Sequence, residues 1–293
     1  MVLPNFLIIG APKAGTTTLY NYLKQHPQIY MSFLKEPHFF SYGCDNKPNT
    51  KLSFVSNWQD YQYLFQKVSK QTAIGEASTS YLYHPRAAER IHHHLPNAKL
   101  IAILRDPAES TYSKFLMDYR WQFDINSQHN PIKDFSLAIQ QSPSVQRSGL
   151  YYKKLQRYLA LFQGKQLKIC LFEDLKREPD ALLQDVFQFL EVDEKFCVNQ
   201  SIPIYNSGGV PKNKFIYTSL NKVRKNFNMN LKPFIPNGFH KPLYNFYFSL
   251  RNSNLVKPPP LPSEMRQQLI EIYREDILQL QVFLQRDLST WLN

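Results

Sequence analysis

Residues Asn5 to Ile9 form a short apolar run ended by Gly10, the pattern of a buried strand. From Thr16 to His26 the apolar positions Leu19, Tyr22 and Leu23 recur at helical spacing, and Pro27 stops the run. The stretch IYMS that follows suits a second strand. Leu100 to Leu104 are unbroken apolar residues, as in a parallel strand covered on both faces, and Pro107 suits the first position of a helix reaching about Tyr119. A helix over Tyr151–Phe162, a strand in LKICLFEDL and a helix in DALLQDVFQFL, with Leu182, Val186 and Phe189 on one side, complete the alternation. Arg120 to Arg147 reads as a polar, irregular surface excursion. SEMRQQLIEIYREDILQLQVFL places Leu269, Ile272, Tyr273, Ile277, Leu280 and Phe283 at helical spacing, which predicts a terminal helix packed back on the sheet.

Strands alternating with helices predict an α/β fold: a P-loop-like open parallel sheet flanked by helices, with ligands bound beyond the carboxyl ends of the strands. Lys13 and Arg105 fall at such ends. No internal repeat interrupts the pattern, and residues 1–293 are expected to form one domain.

Charge adds direction. The chain carries 35 Lys and Arg against 23 Asp and Glu, a net +12, which points to an anionic ligand, substrate or surface. Nine of the basic residues, and no acidic one, lie between Ser201 and Pro260, an aromatic-rich stretch read as a lid on the acceptor side. Cys44, Cys170 and Cys197 show no metal-ligand spacing, and an odd count closes no disulfide framework. Cys170, inside LKICLF, reads as a core thiol. The N-terminus does not look like a secretory signal and no apolar run approaches a membrane span, so a cytoplasmic location is expected.

Three stretches carry candidate chemistry. PKAGTTTL follows the first strand and opens the first helix, the geometry that aims backbone N–H groups at one anion. An NTPase phosphate loop has its lysine directly after the second glycine. Here Thr16 and Thr17 follow Gly15, and Lys13 sits within the turn, where its ammonium can meet charge developing on an atom bridging two acid groups. No carboxylate suited to holding a metal follows a second strand, and no metal is expected. In KEPHFF, Glu36 beside His38 suits a base with an orienting imidazole; the plain alternative is a solvated loop acid and a half-buried histidine. Phe39 and Phe40 read as core. In LRDPAESTYSKF, Arg105 and Ser113 can converge on one phosphate, the alternative being a surface pair of Arg105 with Asp106 or Glu109.

In that order the three resemble the PAPS-dependent sulfotransferases, most of all the heparan sulfate type and its bacterial members. GEASTSYL, SGLYYKKLQRYLALF, FEDL and YREDILQLQVFLQRDLSTWL are similar to bacterial members too, so the resemblance covers nearly the whole chain. It implies that 3′-phosphoadenylyl sulfate (PAPS) is the co-substrate and 3′,5′-adenosine bisphosphate (PAP) the product. Lys13, Ala14, Gly15, Thr16, Thr17 and Thr18 would form the 5′-phosphosulfate loop, and Arg105 with Ser113 would hold the 3′-phosphate. Glu36 would be the base, His38 its assistant and Lys13 the stabiliser of the leaving phosphate, in a direct in-line transfer without metal. Gly208, Gly209, Lys212 and Lys214 in YNSGGVPKNKF would form a basic loop closing over the donor. Ala77 stands where heparan-type members carry a lysine that helps handle an acidic sugar chain or the donor sulfate, so a heparan-like acceptor is not implied. The acceptor expected is a saccharide or glycolipid, with peripheral membrane contact a second expectation.

Two other classes compete. A P-loop kinase or NTPase is opposed by the displaced lysine. A non-enzymatic protein could use the basic, aromatic stretch to bind nucleic acid or an anionic membrane; nucleic acid is not expected.

Overall fold

The computed structural model describes residues 2–43, 55–122, 131–200, 210–213, 215–217, 219–220, 247, 249–250 and 253–293. Its centre is a five-stranded parallel sheet in the order β2-β3-β1-β4-β5. The strands are β1 (Phe6–Gly10), β2 (Ile29–Met31), β3 (Ala73–Ala77), β4 (Lys99–Leu104) and β5 (Leu167–Leu171). In register, Leu7 of β1 lies between Glu76 of β3 and Leu100 of β4, and Leu104 of β4 pairs with Leu171 of β5. The fully buried β1 and almost wholly buried β4 explain why both runs are unbroken in apolar residues.

Helices cover both faces. On one, α1 (Thr16–Leu23) and α10 (Pro179–Leu190) bring Leu19, Leu23, Leu183, Val186 and Phe187 against Phe6, Ile8, Ile101 and Ile103. The other face takes α4 (Ala87–His94), α5 (Pro107–Gln122), α6 (Pro131–Gln141) and α8 (Tyr151–Leu159) against Leu7, Ile9, Leu100 and Leu104. Short helices α2 (Phe39–Tyr42), α3 (Trp58–Tyr63), α7 (Pro143–Gln146) and α9 (Phe172–Arg177) fill the connections. The last helix, α11 (Ser263–Leu284), packs against α5, α6 and α8. Among its anchors, Asp276 accepts from Tyr152 N and Lys153 N at the start of α8, and Arg266 donates to Asp106 at the start of α5.

The expected strands and most helices stand as read, with four corrections. FEDL continues β5 not as strand but as the first turn of α9. Part of the supposed excursion 120–147 is helical: α6 buries Phe135 and Ile139, four residues apart on one face, in the main core. On α11 it is Ile270 that turns inward beside Leu269, Tyr273, Ile277 and Leu280, while Ile272 and Phe283 are exposed. The interior strand β3, AIGEA, has too few large apolar residues to announce itself; at Gly75 any Cβ would meet the Phe6 ring at 2.4 Å, so the small residue is required by the neighbouring strand. Phe39, Phe40 and Cys170 are core residues, and burial pushes the Cys170 thiol up to about 12. Most of 201–260 lies outside the described residues; within it Val210–Pro211 (β6) pairs antiparallel with Leu255–Val256 (β7).

Candidate active site

The site lies where β1, β3 and β4 end. After Gly10 the chain turns through residues 11–15 into α1, with Lys13 at φ 64° and Gly15 at φ 92°. Both angles are left-handed, and at Gly15 a Cβ would also strike Phe172 at 2.8 Å, so glycine is the residue this turn accepts. Ala14 is buried, Thr16 nearly so, and Lys13, Thr17 and Thr18 are half-buried. The first turn of α1 carries no acidic side chain to oppose the positive end of the helix. A glycine turn leading into such a helix presents backbone N–H groups and a positive helix end, an arrangement suited to an anion.

The turn is tied to β4 and α5. Ala11 N donates to Ile103 O at 2.7 Å, Ser110 Oγ to Pro12 O at 2.9 Å, and Arg105 Nη1 to Lys13 O at 3.4 Å. Arg105 is thus joined to the turn it was expected to work with. Its Nη2 also lies 3.3 Å from Glu109 Oε2, and its guanidinium lies 5.2 Å from the centre of the Phe172 ring. The local pair named as the alternative is therefore formed. Ser113, half-buried, sits one turn beyond Glu109 on the same side of α5.

The carboxylate side is built by the 35–38 turn after β2, held by the segment after β3. Glu36 and His38 both adopt left-handed backbone, φ 62° and 55°, conformations that persist only where surrounding contacts hold them. Glu36 N donates to Ala77 O at 2.9 Å and His38 N to Ser78 Oγ at 3.0 Å. The Glu36 carboxylate accepts from Thr79 N at 2.9 Å, and the Thr79 hydroxyl lies 3.2 and 3.3 Å from its two oxygens. Lys35 Nζ donates to Glu36 Oε1 at 2.7 Å, and His38 Nδ1 stands 3.6 Å from Oε2. The same Nδ1 is 2.7 Å from Ser80 Oγ, which in turn meets Ser41 Oγ at 2.8 Å. Burial pushes the His38 pKa down, with Glu36 opposing and Lys35 adding to the effect, so the imidazole is neutral at pH 7.

This segment also joins the two halves. Ser78 N donates to Ile8 O and Leu82 N to Ile9 O, so 77–82 borders both β1, which leads into the glycine turn, and the Glu36 turn. Lys35, Glu76, Ser78, Thr79, Ser80 and Ser110 were not singled out from sequence as site residues; the signal for four of them was the run of hydroxyls after a carboxylate in GEASTS. Lys212 is exposed, its N–H bonded to Asn254 O at 2.7 Å. Gly208, Gly209 and Lys214 lie outside the described residues.

A family model described as the sulfotransferase domain matches residues 3–236. The chain belongs to the sulfotransferase family. The resemblance carried by the phosphate turn, the Glu36 segment and the Arg105 motif is thereby borne out. Among relatives, the chain is 37% identical over 121 residues to the membrane-associated sulfotransferase kil1 of Dictyostelium discoideum, covering 41% of this chain and 24% of that one. Human carbohydrate sulfotransferase 15 is 29% identical, covering 65% of this chain and 44% of its own length. The human bifunctional heparan sulfate N-deacetylase/N-sulfotransferase 3 is 30% identical over 65% of this chain and 22% of its own. The chain spans less than half the length of each of these relatives. A crystal structure of a sulfotransferase from Alicyclobacillus acidocaldarius superposes with a TM-score of 0.71 at 25% identity, covering all of both chains. The parallel sheet flanked by helices is therefore the sulfotransferase fold. Among the described residues, no helix of this sulfotransferase is long and apolar enough to cross a membrane.

Proposed function

We propose that this sulfotransferase moves a sulfuryl group from PAPS to a hydroxyl or amine of a saccharide or glycolipid acceptor. The observation that carries the reading is that a carboxylate, Glu36, is held by its neighbour Lys35 and by Thr79, on the 77–82 segment that is bonded to the end of β1 leading into the glycine turn. The residues suit the donor: the 11–16 turn offers backbone N–H groups and a helix N-terminus to the phosphosulfate, and Arg105 and Ser113 lie along one side of the start of α5 for the 3′-phosphate.

In the reaction, the acceptor oxygen or nitrogen attacks sulfur in line. Its bond to sulfur forms as the bond from sulfur to the bridging phosphate oxygen breaks. Glu36 takes the acceptor's proton, neutral His38 and Thr79 orient the carboxylate, and Lys13 meets the charge gathering on the departing PAP phosphate. Names of relatives that act on carbohydrate and heparan sulfate support a saccharide acceptor. Ala77, buried at the end of β3, offers no cation of its own to an acidic sugar chain.

The test has two parts. PAP should raise the melting temperature with no metal added, and PAPS carrying labelled sulfur should label one class in a panel of sugars, glycolipids and phenols. Stabilisation by Mg-ATP but not PAP would overturn the reading in favour of a nucleotide triphosphate enzyme.

A further inference from the structure

The Glu36 turn rests on a second carboxyl group that the mechanism above does not use. Glu76, in the penultimate position of β3, is 0% exposed. Ser78 Oγ donates to its Oε2 at 2.9 Å and Tyr61 Oη to its Oε1 at 3.4 Å. A serine hydroxyl has one proton to give. By taking it, Glu76 leaves the Ser78 oxygen as the acceptor for His38 N, 3.0 Å away. The chain of contacts thus runs from the centre of the sheet, through Ser78, to the main chain of the left-handed turn that aims Glu36.

We infer that Glu76 is a positioning residue for sulfuryl transfer: it fixes the Ser78 hydroxyl, which holds the 36–38 turn and so sets the aim of the Glu36 carboxylate. This rests on the reading of Glu36 as the base. The groups acting on the Glu76 carboxyl are the hydroxyls of Ser78, of Tyr81 on the same segment and of Tyr61 on α3, together with the Glu36 carboxylate. None of these is a cation. Burial above all, with Glu36 adding, pushes the Glu76 pKa up to about 8, so the carboxyl is neutral at pH 7 and ionises on the alkaline side. A charge at that point faces Glu36 without a counter-ion and loosens the turn.

The experiment compares wild type, Glu76→Gln and Glu76→Ala with a non-titrating hydroxyl acceptor between pH 7 and 9, measuring kcat and PAP affinity. Wild-type kcat should fall as pH passes about 8. Glu76→Gln keeps an acceptor for Ser78 and cannot ionise, so it should stay within a few-fold of wild type at pH 7 and lose the alkaline decline. Glu76→Ala should lose on the order of 10²-fold in kcat with PAP affinity unchanged, the cost of a misaimed base. Wild-type kcat in Glu76→Ala, a pH-independent wild type, or an alkaline decline retained in Glu76→Gln each overturns the inference. If Glu76→Ala does not fold, the Gln arm decides. A wild type that turns over no PAPS would instead remove the parent reading.

Discussion

Arg105 is paired with Glu109 at 3.3 Å while it also donates to the carbonyl of Lys13. On the proposed reading, in which Arg105 takes the 3′-phosphate, its guanidinium is held by Glu109 and the Lys13 carbonyl until the nucleotide binds. Glu109 is 41% exposed in its side chain, and such a partly exposed pair is worth less than about 1 kcal/mol. A 3′-phosphate, with two charges and a bidentate geometry, is expected to outcompete it. Glu109→Gln should tighten PAP binding by roughly two- to five-fold, the worth of the released pair, and the gain should shrink in high salt. Arg105→Ala should weaken PAP by about 10- to 100-fold while sparing adenosine 5′-phosphosulfate, as expected for lost charge-assisted bonds. Titration calorimetry with the two nucleotides checks both; equal losses for both nucleotides would place Arg105 elsewhere than at the 3′-phosphate.

Lys13 lies in the turn after β1 and Glu36 is held by Thr79, and on the proposed roles their substitutions should separate in kinetics. Glu36→Gln keeps the shape of the carboxylate and should lower kcat by about 10²- to 10⁴-fold, the usual worth of a general base, with PAP affinity nearly intact. Lys13→Ala should lower kcat by about 10²- to 10³-fold, in line with the loss of one group that stabilises developing charge, and should weaken PAP as well. Wild-type turnover in Glu36→Gln would end the base assignment.

Thr79 presents both a backbone N–H and a hydroxyl to Glu36. Thr79→Val removes only the hydroxyl, leaving the 2.9 Å N–H contact. The expected loss is about 10-fold in kcat, equivalent to one hydrogen bond to a charged acceptor, with KM for the donor unchanged. A larger loss in KM than in kcat would mean that Thr79 touches the donor instead.

What could be read from the chain follows from how its information is written. β1 and β4 are legible because strands buried on both faces must be continuously apolar, and Leu100 to Leu104 obey that. β3 is hidden because its neighbour Phe6 demands Gly75 and because Glu76 buries a carboxyl where an apolar residue is expected. Lys13, Glu36 and Arg105 stand out as charges at strand ends. The partners that aim them do not, since Thr79 meets Glu36 across 43 residues of chain and hydroxyls are common in turns. The Phe135 and Ile139 pair in α6 was readable at helical spacing and was masked by polar surroundings.

The raised pKa of Glu76 also makes stability depend on pH, in a direction opposite to that of an ordinary paired carboxylate. The group binds its proton up to about pH 8 in the folded protein and only up to about 4.5 when exposed. Between those values the folded state holds more protons than the unfolded one, so stability falls as pH rises, by at most ~1.4 kcal/mol per pH unit for this one group. Below 4.5 the contribution is complete, and above 8 it is gone. Glu76→Gln cannot titrate, so its melting temperature relative to wild type should climb steadily from pH 5 to 8 and then level off. Scanning calorimetry of the two proteins in matched buffers measures that difference directly. A difference that stays flat across the window would mean that Glu76 is already charged at neutral pH in the fold, with water or a cation supplying what burial among Tyr61, Ser78 and Tyr81 does not.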